Sequence, residues 1–79
     1  MAQTITGQHI HAGLGTFDYQ ATYDVHRLAS TWFTDWSGVA TGTGRVLTLN
    51  GGSIELITGG PLAAELVDRE QIRKEINAL

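Results

Sequence analysis

Cysteine is absent from the 79 residues, which excludes disulfide staples and thiolate metal sites and makes a reducing cytoplasm the expected compartment. Basic residues are few. Five Lys and Arg are scattered along the chain and outnumbered by eight Asp and Glu, so direct binding to a nucleic-acid phosphate backbone is disfavoured. No apolar run approaches 18 residues, and the N-terminus has neither a basic stretch nor a long apolar one, so neither a membrane span nor an export signal is predicted. Catalytic signatures are missing too. The glycine clusters `GLG`, `TGTG`, `NGG` and `TGG` lack the Lys-Ser/Thr of a P-loop and do not form a dinucleotide fingerprint, and Ser30, Ser37 and Ser53 have no nucleophile motif around them. The expectation is a non-enzymatic protein with no cofactor and no metal.

What is present is fold information. In `GRVLTLNGGSIELITGG`, a two-residue turn at Gly51-Gly52 sets Leu49 against Ile54 and Leu47 against Leu56, with Thr48 facing Glu55 and Val46 facing Ile57, which predicts a β-hairpin. Moving the turn to Asn50-Gly51 sets Val46 against Glu55 and Arg45 against Leu56, a poorer match. In `LVDREQIRKEINAL`, Asp68 reads as an N-cap, Gln71 as its capping-box partner, and Val67 with Ile72 as a hydrophobic staple. Ile72, Ile76 and Leu79 then form an apolar stripe, and Glu70 to Lys74 is a favourable i,i+4 pair on the solvent side with Arg69, Arg73 and Glu75. The preceding `PLAAELV` reads equally as a first helical turn or a short strand.

Earlier in the chain, `TFDYQATYD` alternates with period two, placing Phe17, Tyr19, Ala21 and Tyr23 on one face and Asp18, Gln20, Thr22 and Asp24 on the other. That is a half-buried strand. `QTITGQHIHA` is its expected partner, with the reversal at Gly13 to Gly15. Val25, Leu28, Ala29, Trp32, Phe33 and Trp36 fall at helical spacing, with Asp24 as N-cap and Gly38 as stop, so a helix is predicted over 25–36, although Thr31, Thr34 and the aromatics also suit a strand. Ser37 to Gly44 reads as a loop. The expected architecture is therefore one α+β domain over 1–79: a small antiparallel β-sheet of four to five strands covered by one or two helices. A chain of this length buries only about 60 to 65% of its unfolded surface, so its core is modest.

Charge is unevenly distributed. Residues 1–60 carry Asp18, Asp24, Asp35 and Glu55 against Arg27 and Arg45, while residues 61–79 hold the rest. Most of the body is nearly uncharged, a surface with little electrostatic protection against contact, which points to a partner or self-association face. His9 and His11 form an H-x-H pair whose rings share one face of a strand, as a metal site requires, but no third ligand is evident and an exposed pair is the commoner arrangement. Trp32 and Trp36 read either as core or, for Trp36 in particular, as an interface anchor.

In size, composition and α+β layout the chain resembles the small, cysteine-free, mildly acidic anti-CRISPR inhibitors of phages and mobile elements. The resemblance implies binding to a protein subunit of a type I surveillance complex, a CRISPR effector, and interference with target DNA recognition. Asp18, Asp24 and Asp35 would then pair with Lys and Arg that normally hold nucleic acid. The alternative is a phage or mobile-element structural subunit of the head-tail joining type, assembling into a homo-oligomer through a heterologous interface.

Overall fold

A computed structural model describes residues 2–57 and 60–79. Four strands run in sequence order as an antiparallel meander: β1 (Gln3–His11), β2 (Gly15–Leu28), β3 (Thr31–Gly42) and β4 (Arg45–Leu56). A 3-10 turn (Gly60–Ala63) leads into one helix, α1 (Ala64–Asn77). The protein is thus α+β with a four-stranded sheet and a single C-terminal helix.

The alternation of residues 16–24 does what its pattern requires. Phe17, Tyr19 and Ala21 are buried beneath α1 and Asp18, Gln20, Thr22 and Asp24 are exposed. Strand β1 pairs with β2 from Gln3 opposite Tyr23 to His11 opposite Gly15, across the reversal expected at Gly13 to Gly15. The core unites Ile5, Phe17, Tyr19, Ala21, Trp36, Ala40 and Leu49 from the sheet with Ile72 and Ile76 from α1. Each large aliphatic buried there contributes about 1.5–3 kcal/mol.

Residues 25–36 are not a helix. They are the end of β2, a two-residue turn at Ala29-Ser30, and the start of β3, with Leu28 opposite Thr31 and Val25 opposite Thr34. Two alternating strands separated by a short turn change parity at the turn, and that change imitated a helical repeat. The result puts Val25, Trp32 and Trp36 on the helix side and Leu28 and Phe33 on the other, and the β-branched and aromatic residues decide for strand. Ser37 to Gly44 is likewise strand as far as Gly42. Only Thr43 and Gly44, with φ of 50° and 75°, form the turn into β4, as a two-residue hairpin of type I′ demands.

Gly51 and Gly52 do not turn the chain either; they sit inside a continuous β4 at a β-bulge. Leu47 and Leu49 face Ala40 and Gly38, whereas Ile54 and Leu56 face Thr34 and Trp32, with a register shift opposite Trp36 to Gly38. Odd-numbered residues point inward before the shift and even-numbered ones after it. One extra residue keeps both apolar pairs on the core side, and glycine at positive φ serves a bulge as well as a turn. Gly52 has φ of 74°, and the Trp36 indole occupies the space that a β-carbon on Gly51 would need. The Asn50 N–H freed at the bulge donates to Glu75 Oε1 of α1 at 3.2 Å.

The helix begins earlier than its apparent cap. `PLAAELV` is the 3-10 turn and first turn of α1, Ala63 stands at the N-cap with no side-chain bond, and Asp68 lies fully buried in the second turn. Ile72 and Ile76 are buried as expected, and Lys74 Nζ lies 3.7 Å from Glu70 Oε1. Arg69 is not solvent-facing: its Nη1 donates to the Thr6 carbonyl and to the Tyr19 hydroxyl, both at 2.9 Å. With Arg69 bonded to β1 and Glu75 bonded to β4, the sheet is folded around one helix and both of its edges are engaged.

Candidate functional site: the open face of the sheet

All of α1 lies on one side of the sheet, so among the described residues no layer covers the other side. Alternation assigns to this open face Thr4, Thr6, Gln8 and Ile10 of β1 and the even-numbered residues Thr16 to Leu28 of β2. Thr31, Phe33, Asp35, Ser37, Val39 and Thr41 come from β3, and Val46, Thr48, Ser53 and Glu55 from β4. Asp18, Asp24, Asp35 and Glu55 are therefore together on one surface, and by the same parity no Lys or Arg among the described residues shares it. Arg27 and Arg45 pair with Trp32 and Gly42 on the helix side. Half of the eight acids occupy the open face, and the other half are balanced by the five Lys and Arg elsewhere.

The arrangement along the face is graded. Asp18 sits at one end, where Gln8 Nε2 donates to its Oδ1 at 2.7 Å. Asp24 lies six residues further along β2, about 20 Å away. It stands directly opposite Asp35 in the β2–β3 pair. Like charges in that position repel across the sheet. His26 offsets part of this, with Nδ1 2.7 Å from Asp35 Oδ2, while its ring stacks on Phe33 at 5.4 Å between centroids and 13° between planes. Two adjoining depressions of about 560 and 440 Å³ run from Asp18 along the middle of the face; they share Gln20 and Val39 and mix Thr, Ser, Gln and Asn side chains with apolar surface.

Of the residues singled out in the sequence, Asp18, Asp24 and Asp35 are brought to this one face. Trp36 is placed on the other side of the sheet, 3% exposed, against Gly51. Trp32 is half-buried beneath the Arg27 guanidinium, 5.7 Å from its ring centroid. Sequence reasoning missed Glu55 and His26 as members of the face. Glu55 was discoverable from the alternation of Ser53 and Glu55 with Ile54 and Leu56, once the bulge is allowed for.

The histidine pair has a structural task. His9 Nε2 lies 2.8 Å from Asn77 Oδ1 and His11 Nε2 lies 3.2 Å from the Leu79 carbonyl oxygen, so both rings hold the end of α1 against β1. His11 Nδ1 also accepts the backbone N–H groups of Gly13 and Leu14 at 3.0 and 3.1 Å, which assigns the proton to Nε2. Among the described residues no group of three or more His, Asp or Glu side chains is placed to hold a metal ion, and no helix is long and apolar enough to cross a membrane.

Two ionisable groups beneath the sheet are perturbed. Burial pushes the Asp68 carboxyl up to about 6 against the opposing effect of its hydrogen bond from Thr34. Burial also raises the Tyr23 phenol, helped by the charges of Glu65 and Asp68 and opposed by Arg69. Both belong to the helix–sheet interface and not to the open face. Comparison with protein-family models, with curated proteins and with solved structures gave no match.

Proposed function

We propose that the chain is a non-catalytic protein-binding inhibitor that lays the open face of its sheet on a basic, nucleic-acid-holding surface of a larger protein. The observation that carries this reading is the segregation of charge: among the described residues, four carboxylates and no Lys or Arg stand on the face opposite α1. Carboxylates spread over about 20 Å can meet several of the Lys and Arg that track a phosphate backbone, and their field steers the encounter. The partner in this reading is a type I CRISPR surveillance complex, and the action is of the anti-CRISPR kind, denying the complex its target DNA.

The test is target-DNA binding by a purified type I surveillance complex in the presence of the chain. Stoichiometric loss of DNA binding is expected, weakening as salt rises because the contact is electrostatic. The Asp18→Lys, Asp24→Lys and Asp35→Lys triple variant should lose at least tenfold in inhibitory potency at low salt while keeping its circular dichroism spectrum. Unaltered DNA binding at excess inhibitor would refute the named partner.

A second reading, a homo-oligomeric structural subunit, rests on Leu62 and Leu66, which are 94% and 69% exposed and lie one turn apart. It predicts large assemblies in sedimentation velocity that the Leu62→Ser and Leu66→Ser double variant disperses.

A further inference from the structure

The sheet is staggered at one end. β1 begins at Gln3, opposite Tyr23, whereas β2 continues to Leu28. Among the described residues, therefore, residues 24–28 of β2 have a strand beside them on the β3 side only. The two-residue turn Ala29-Ser30 makes Leu28 and Thr31 a hydrogen-bonded pair, and alternation from there turns the N–H and C=O groups of Leu28, His26 and Asp24 toward β3. Those of Val25 and Arg27 point off the sheet. The side chains that could shield this edge lean away from it: the His26 ring stacks on Phe33 with its Nδ1 at Asp35, and the Arg27 guanidinium lies over Trp32, all three partners belonging to β3. The longer edges are guarded. On β1 the Thr6 carbonyl accepts from Arg69 and both His9 and His11 are tied to the end of α1, while on β4 the Asn50 N–H donates to Glu75 and the bulge breaks the line of groups. A straight, unshielded length of edge is a template for another strand.

We propose that residues 24–28 pair antiparallel with the same residues of a second copy of the chain, joining the two sheets into one. Register selects the occupant. Val25 opposite Val25 would require Tyr23, already paired with Gln3, to bond Arg27 of the other copy. Arg27 opposite Arg27 sets like charges together and draws Ala29, at φ of 57°, into the ladder. Val25 opposite Arg27 avoids both faults: His26 then faces its own counterpart, Asp24 faces Leu28, and the outward groups of Val25 and Arg27 bond one another on both sides of the axis. The same residues supply the gap and the strand that fills it, a match that an unrelated strand would make only by chance. Pairing consumes this edge on both copies, so the assembly closes as a dimer and does not propagate. Its two-fold axis stands perpendicular to the sheet, and the two open faces look the same way. The contact is short, in the transient class of interfaces below about 1,200 Å².

The chain has no cysteine, so a single one reports the register. In the proposed pair the α-carbons of residue 26 in the two copies are about 4.5 Å apart, within disulfide range, whereas those of residue 28 are offset by about 13 Å along the strands. Under mild oxidation the full-length His26→Cys chain is expected to form a covalent dimer at least tenfold faster than Leu28→Cys at the same concentration. Adding Arg27→Pro, which removes an outward N–H and spares the β2–β3 ladder, should abolish that advantage while the circular dichroism spectrum is kept. In sedimentation velocity the wild-type chain should pass from monomer to dimer as concentration rises, Arg27→Pro should stay monomeric, and Leu62→Ser with Leu66→Ser should dimerise as wild type does. Equal cross-linking rates at the two positions, a dimer that persists in Arg27→Pro, or a wild-type monomer up to about 1 mM would overturn the proposal. The rate comparison decides by itself if the proline variant fails to fold.

Discussion

Thr34 Oγ1 donates a 2.8 Å hydrogen bond to Asp68 Oδ2 across the sheet–helix interface, and both residues are shut off from solvent. The other oxygen, Oδ1, is buried without a partner. A carboxylate held by one hydroxyl in that setting is poorly compensated, which is why its pKa rises to about 6. A folded-state value above the unfolded value of about 3.9 means that the native chain binds the proton more tightly. The stabilisation is complete below about pH 4 and is lost as pH rises through 6, at a cost of about 1–3 kcal/mol by neutral pH. Urea unfolding at pH 4.5 and 7.5 should show this difference in wild type and a smaller one in Asp68→Asn, which keeps an acceptor for Thr34 without the charge. Equal pH dependence in the two proteins would show that other groups set it.

Gly51 should tolerate no side chain. The Trp36 indole fills the site of its β-carbon, so Gly51→Ala is expected to displace a buried aromatic and cost about 1–3 kcal/mol. Gly52 has open space around it and φ of 74°, so Gly52→Asn, which accepts the left-handed region, should cost well under 1 kcal/mol. Thermal unfolding monitored by tryptophan fluorescence measures both. A reversed order would mean that the bulge, and not the indole contact, governs the site.

These two sites also explain how much of the fold was readable. Period-two alternation over 16–24 was legible because Phe17, Tyr19 and Ala21 lie in an uninterrupted strand. Val25 to Trp36 and Leu47 to Leu56 were misread because each contains a change of parity, one caused by a two-residue turn and the other by a bulge. A glycine pair between two apolar runs looks the same in either case, and the register that separates them depends on the strand opposite. Asp68 was misplaced for a related reason: an acid before an apolar stripe resembles an N-cap until Thr34, 34 positions away, supplies its hydrogen bond. Of the face, Asp18 and Asp24 were visible from one strand, whereas their convergence with Asp35 and Glu55 required all of β2, β3 and β4.

His11 joins three parts of the chain through one ring. Its Nδ1 accepts from Gly13 and Leu14 and its Nε2 donates to the Leu79 carbonyl, so His11→Phe keeps the ring but strands two backbone donors at the β1–β2 turn. A loss of about 1–2 kcal/mol is expected. Amide hydrogen exchange should accelerate at Gly13 and Leu14 and in the last turn of α1, leaving β3 unaffected. Acceleration spread evenly over the sheet would indicate global destabilisation and no specific clamp.

Ala29 occupies the left-handed region, with φ of 57°, at the turn that carries Leu28 to Thr31. An L-residue there is disfavoured by about 1–2 kcal/mol relative to its ordinary conformations, while glycine enters the region freely but loses more backbone entropy on folding. The two effects nearly offset, leaving a net gain of up to about 1 kcal/mol for Ala29→Gly, read as a raised denaturation midpoint at unchanged denaturant dependence. Ala29→Val should do the opposite, because a β-branched side chain is less tolerant of positive φ.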